Sequence, residues 1–180
     1  KWGDDDELGV LNYITSEDIV EAAKLVKRGK VFRLGLELDE NGPQKGLFGG
    51  RYNPLHHMLA TGTDAVQGLQ DDPPALRYAD AMIHLPTQAA SQWDALAHVF
   101  AGDKMWNGYP ATLVDSRGAH KNGIEKFADK MVGRGVLLDV ARYKKKERLA
   151  DGYGITIDDL NATAESQSVE VRRGDFVIVN

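Results

Sequence analysis

The side chains best suited to chemistry lie in one stretch, Gln88-Ala89-Ala90-Ser91-Gln92-Trp93-Asp94-Ala95-Leu96-Ala97-His98. There two carboxamides, a carboxylate and an imidazole fall at steps of four, two and four. Three readings are open. The stretch can be an ordinary polar helix start. It can be a general acid/base pair, Asp94 with His98, whose neighbouring amides bind a substrate. It can also be half of a metal site, since amide and carboxylate oxygens suit hard cations and imidazole suits zinc- or iron-type metals. Residues 91–100 look like a short helix opened by Ser91, with Asp94 three residues on at capping-box spacing. Asp94 therefore has a second reading, as a group serving its own helix end. On such a helix Asp94 and His98 stand at i and i+4 and face one side. A carboxylate so placed orients the imidazole and raises its pKa.

Other motif classes are absent. The chain has no Gly-x-Gly-x-x-Gly, no Gly-x-x-x-x-Gly-Lys-Ser/Thr, no Gly-x-Ser-x-Gly elbow and no His-Glu-x-x-His. Ser91 lacks the glycines of an elbow and reads as a cap rather than a nucleophile. There is no cysteine, which removes disulfides, thiolate zinc sites and a thiol nucleophile, and fits a reducing, cytoplasmic setting. The net charge of −5 argues against a nucleic-acid partner. The one dense basic run, Lys144-Lys145-Lys146, reads as a solvated loop. No apolar run approaches the ~18–20 residues of a membrane span. The consecutive acids Asp4-Asp5-Asp6-Glu7 lack the alternate spacing of a calcium loop and predict a surface turn.

The elements that must position the stretch follow from periodicity and punctuation. Ala81-Met82-Ile83-His84-Leu85, within a strand over 80–85, predicts a short buried strand leading into it, ended by Pro86. Thr15 and Asp18 box the start of a helix whose apolar residues recur through Val26, with Gly29 as its stop. Alternation over 31–38 predicts a strand. Residues 41–74 form a long Gly- and Pro-rich loop whose His56 and His57 are either candidates to reach a substrate or ordinary solvent-exposed or locally hydrogen-bonded histidines. Residues 103–109 predict a polar wall or lid carrying Trp106 and Tyr109. Residues 120–131 predict an amphipathic helix. The apolar run 135–140 predicts a strand buried on both faces, with Asp139 in a structural role. A helix over 157–165 starts near Thr156, and 167–171 and 176–179 predict two further strands joined by a turn.

The Gln88–His98 stretch resembles the signature of the cyclase family, which includes bacterial kynurenine formamidase and isatin hydrolase and whose hallmark is His-x-Gly-Thr-His-x-Asp-x-x-x-His. The opening Trp2-Gly3-Asp4-Asp5-Asp6-Glu7-Leu8-Gly9-Val10-Leu11-Asn12 is similar to that of the longer bacterial members. Asn107-Gly108-Tyr109, Arg134-Gly135-Val136-Leu137-Leu138-Asp139 and Gly174-Asp175-Phe176-Val177 fall in the family's order. The resemblance implies an α/β fold, a swivelling β/β/α domain with a mixed sheet flanked by helices. The expectation is one cyclase-like domain over 1–180, shortened on its C-terminal side, in a homo-oligomer, a dimer or larger.

It also implies hydrolysis of amide or cyclic amide bonds in a small molecule with a divalent metal, zinc or manganese. Asp94 matches the family's metal-binding Asp, and His98 the last His, the acid/base group. Gln88 and Gln92 stand where the family has two metal-binding histidines, a form that resembles a Gln-x-x-x-Gln-Trp-Asp branch. Trp93, Trp106, Tyr109 and His56 are the candidate substrate-binding residues, suited to a planar ring. The expected activity is thus that of a non-peptide C–N hydrolase, with or without a metal. The alternative is a non-catalytic, ligand-binding relative that has lost the metal histidines.

Overall fold

The computed structural model describes residues 2–71 and 76–180. In chain order its elements are α1 (Ser16–Ala23), β1 (Leu55–Ala60), α2 (Gly62–Val66), β2 (Asp80–His84), β3 (Val114–Asp115), β4 (Gly118–Ala119), β5 (Gly135–Leu138), α3 (Val140–Tyr143), α4 (Ile157–Ser166) and β6 (Phe176–Val179), with short 3-10 turns between them. The strands pair as three two-stranded ladders: β1 with β2 and β3 with β4 antiparallel, β5 with β6 parallel. The architecture is α/β. The chain divides into two compact units, Val31–Trp93 and the combination of Lys1–Lys30 with Asp94–Asn180.

In the larger unit the helix starts obey local chemistry. The Thr15 hydroxyl accepts from the Asp18 N–H while the Asp18 carboxylate accepts from the Thr15 N–H, closing the expected capping box of α1. The helix stops at Ala23, six residues before Gly29. None of its residues is fully buried, so little packing sustains a further turn. Ile19 packs on the core formed by Leu11, Ile14 and Phe127.

Thr156 and Asp159 box α4 in the same way. The Asp159 carboxylate also takes the Lys144 ammonium at 2.6 Å and the Tyr153 hydroxyl at 2.8 Å. These donors, Lys144 foremost, hold Asp159 well below the usual carboxylate range, and the bond to Asp159 in turn pushes Lys144 above the value of a free lysine. Lys144 is thus withdrawn from the solvated basic run into a fold contact. Thr156→Ala removes the cap and is expected to lower unfolding free energy by about 1 kcal/mol, measured by urea titration.

The parallel pair runs Gly135↔Phe176 to Leu138↔Val179. Val136 and Leu138 are buried and Leu137 is exposed, so β5 buries one face rather than the two expected from its composition. Asp139 caps α3 by accepting from the Arg142 N–H at 3.0 Å, which confirms its structural role. Residues 167–171 do not form a strand, and the turn before β6 is as expected. Residues 120–131 form only a 3-10 turn, Ile124–Phe127. Asn122 sits at φ 59 and its N–H is committed to Glu7, which breaks the start of the expected helix.

In the Val31–Trp93 unit, residues 31–38 form no strand and are exposed despite their alternation. Among the described residues this stretch joins no ladder, and alternation alone does not order the backbone. The expected long loop holds β1 and α2, the latter boxed by Thr61 and Asp64; residues 72–74 of it lie outside the described residues. β2 is present where expected but is exposed along its whole length rather than buried, because among the described residues its ladder has β1 alone for a neighbour. A register shift between Met58 and Ala60 bends β1.

Candidate functional site

The turn carrying His98 is built from irregular backbone. Residues 91–100 contain no helix, so the expected i, i+4 alignment of Asp94 with His98 does not arise. The Ser91 hydroxyl, expected to cap that helix, instead accepts from the Leu36 N–H at 2.9 Å. The His98 N–H closes a turn onto the Ala95 carbonyl at 3.0 Å. One residue earlier, buried Ala97 donates its N–H to the Asn122 carbonyl at 3.1 Å. Asp94 and His98 are both exposed, and no hydrogen bond or ion pair engages either side chain among the described residues. The imidazole is therefore open to an incoming molecule, and the backbone beneath it is fixed.

That fixing centres on Asn122, a residue the sequence alone did not single out. Asn122 is fully buried. Its N–H donates to Glu7 Oε2 at 2.7 Å and its Nδ2 donates to the Trp106 carbonyl at 2.9 Å. Lys121 Nζ lies 3.0 Å from Glu7 Oε1. The Asn122-Gly123 pair is a turn signal, and it was the clue available. Burial tends to raise the Glu7 carboxyl, but the Asn122 N–H and Lys121 outweigh it, with Lys126 adding its charge, and Glu7 ends below its ordinary value. Lys121 is raised in turn, chiefly by its bond to Glu7.

A carboxylate depressed in the folded state stabilises fully above its unfolded value, near 4.5, and that stabilisation is lost as pH falls through the lower folded value. Urea stability is therefore expected to decline below about pH 4.5 less steeply in Glu7→Gln than in the parent chain.

Trp106 and Tyr109, expected to wall a pocket, make their polar contacts with the N-terminal segment. Trp106 Nε1 donates to Asp6 at 3.3 Å, and the Tyr109 hydroxyl donates to the Asp4 carbonyl at 3.1 Å. Asn107, between them, sits at φ 62 and its amide donates to the carbonyls of Gly3, Asp4 and Asp6. The expected acidic surface turn is thus a docked one. Asp6 accepts from the Leu8 and Gly9 N–H groups and from Asn12.

Gln88, Gln92, Trp93 and His56 belong to the Val31–Trp93 unit, whereas Asp94, His98, Trp106 and Tyr109 belong to the other. Gln88 is half-buried, and Gln44 Nε2 holds its main-chain carbonyl at 2.9 Å and that of Ala89 at 3.0 Å. Gln92 and Trp93 are exposed. His56 lies on β1 opposite Ile83 and borders an open cavity of about 480 Å³ with Asp39, Glu40 and Asn41. His84 ends β2 and shares a 2.9 Å hydrogen bond with the Tyr52 hydroxyl.

The zinc or manganese implied by the family fits these residues poorly. Gln88 and Gln92 offer neutral carboxamide oxygens, and Asp94 is the one anionic donor of the frame. Zinc is held firmly by imidazole, thiolate and carboxylate. Among the described residues no three His, Asp or Glu side chains are grouped as a ligand set.

Comparison with known proteins identifies the lineage. The family described as Putative cyclase has a model that matches residues 32–180. A solved structure described as a novel cyclase is 41% identical, with a TM-score of 0.90; the match covers 99% of this chain and 58% of that one. The chain thus spans little more than half the length of that cyclase. Curated proteins gave no match. Among the described residues no helix is long and apolar enough to cross a membrane. With most of its length matched by the family's model and nearly all of it by a cyclase fold, this chain belongs to the cyclase family.

Proposed function

We propose that the chain hydrolyses an amide or cyclic amide bond in a small, aromatic molecule, with Asp94 and His98 as its acid–base pair. The observation that carries this reading is the survival of Asp94-x-x-x-His98 in a cyclase-family chain, with His98 exposed on a turn whose backbone is tied to buried Asn122. Water oxygen adds to the carbonyl carbon as the Asp94 carboxylate takes its proton. The C–N bond then breaks, the electron pair stays on nitrogen, and the His98 imidazolium supplies the proton that makes it a neutral amine. The products are a carboxylic acid and an amine, or one amino acid from a lactam. Both side chains are reset by exchange with solvent, to which both are open. No step is routed through a metal, because the donors at positions 88, 92 and 94 do not suit a tightly held one.

Gln88 and Gln92 favour a second reading, a binding protein that retains the family fold without turnover. An N-formyl arylamine and a fused aryl lactam separate the two. Release of amine or opening of the ring supports hydrolysis. Saturable binding by calorimetry with no product supports the binding protein.

A further inference from the structure

We infer that Asn122 is the positioning residue for His98, fixing the imidazole through the backbone of Ala97 while Glu7 and Trp106 fix Asn122 itself. The inference rests on the reading of His98 as the acid–base group and adds to it the part of the molecule that sets where that group stands. Three bonds converge on this one residue. Its carbonyl accepts from the Ala97 N–H at 3.1 Å, its N–H donates to Glu7 at 2.7 Å, and its Nδ2 donates to the Trp106 carbonyl at 2.9 Å. The packing agrees with the bonding. Ala97 is buried, and Gly9, two residues past Glu7, sits at φ 57 where a Cβ would lie 3.4 Å from Leu96 Cδ1 and 3.5 Å from the Trp106 ring. The acidic N-terminal loop is thereby pressed against the turn that carries His98.

Stability alone accounts poorly for an asparagine here. Its backbone is in the left-handed region, which Asn tolerates better than most residues but glycine tolerates best. Its side chain is fully buried, and Nδ2 holds the Trp106 carbonyl. That bond anchors Asn122 in one orientation and so sets the direction of its own carbonyl, which receives the Ala97 N–H. Catalytic groups lose efficiency steeply with displacement, about 100-fold for roughly 1 Å, so a clamp one residue from the imidazole has consequences well beyond its own bond.

The variants separate placement from folding. Asn122→Gly keeps the left-handed backbone and loses the clamp. Asn122→Asp keeps the shape and loses the Nδ2 donor. Glu7→Gln keeps an acceptor for the Asn122 N–H and loses its charge. With an N-formyl arylamine as probe, kcat is expected to fall about 100-fold in Asn122→Asp, less in Asn122→Gly and least in Glu7→Gln, with KM within about twofold throughout. The Ala97 amide should exchange faster in the same order, read by NMR, in chains whose circular dichroism matches the parent.

Parent-like kcat and Ala97 exchange in a folded Asn122→Asp or Asn122→Gly chain overturns the inference. If either variant fails to fold, Glu7→Gln decides on the same two readouts. His98→Ala keeps the two levels apart: if it retains activity, the reading of His98 fails. If the parent shows no turnover, the positional claim is decided by Ala97 exchange and the His98 ring resonances alone.

Discussion

Replacing His98 by alanine is expected to lower kcat/KM for amide hydrolysis by about 10²–10⁴-fold, the range general acid–base groups supply. Folding stability should stay within about 0.5 kcal/mol of the parent. The two halves of this expectation have different origins. The loss of turnover follows from chemistry, because an amine leaves an amide carbon only when its nitrogen is protonated, and His98 is the imidazole proposed to supply that proton. The small effect on stability follows from structure. The ring is exposed and has no side-chain partner among the described residues, and the bonds that shape the turn run through main-chain atoms that alanine keeps. Chemical rescue by added imidazole would strengthen the assignment. A variant with parent-like turnover would remove His98 from the mechanism.

Restoring two imidazoles, Gln88→His with Gln92→His, is expected to raise zinc affinity by at least ~100-fold, about 2.7 kcal/mol. Zinc prefers imidazole nitrogen to a neutral carboxamide oxygen, and the double variant reinstates the His-x-x-x-His-x-Asp spacing of the family around Asp94. Competition against a fluorescent zinc chelator measures it. Gln92 is exposed and Gln88 half-buried, so neither replacement empties a packed core. An unchanged affinity would mean that this frame does not converge on an ion even with its ligands restored. The weakness would then lie in geometry rather than in donor chemistry.

The parts of the fold legible in the sequence are those governed by groups close together in the chain. Thr15 with Asp18 and Thr156 with Asp159 announced their helices because a capping box needs three residues of separation and nothing else. The β5 and β6 runs and the structural role of Asp139 were legible for the same reason. What failed depended on distant partners. The alternation of 31–38 promised a strand, but among the described residues it joins no ladder, and its leucines are exposed. The helix expected over 91–100 was undone by Ser91, whose hydroxyl serves Leu36, 55 residues away. The helix expected over 120–131 was undone by Glu7, 115 residues from Asn122.

The candidate site shows the same division. The Gln88–His98 frame pointed to the family by residue type and spacing, and the family is established. How the His98 turn is held was not legible, because Asn122, Glu7 and Trp106 become one cluster only on folding. Trp106 and Tyr109 illustrate the converse. Their aromatic character suggested a pocket wall, whereas their polar atoms fasten the N-terminal loop.

The most direct test of the central claim is the rate of hydrolysis of an N-formyl arylamine and an aryl lactam by the chain purified without chelator, measured before and after exhaustive chelation alongside metal analysis. Turnover that survives chelation, in protein carrying well under one zinc or manganese per chain, is the predicted result. Turnover that is abolished by chelation and restored by stoichiometric zinc or manganese would contradict it, as would binding of both compounds with no product.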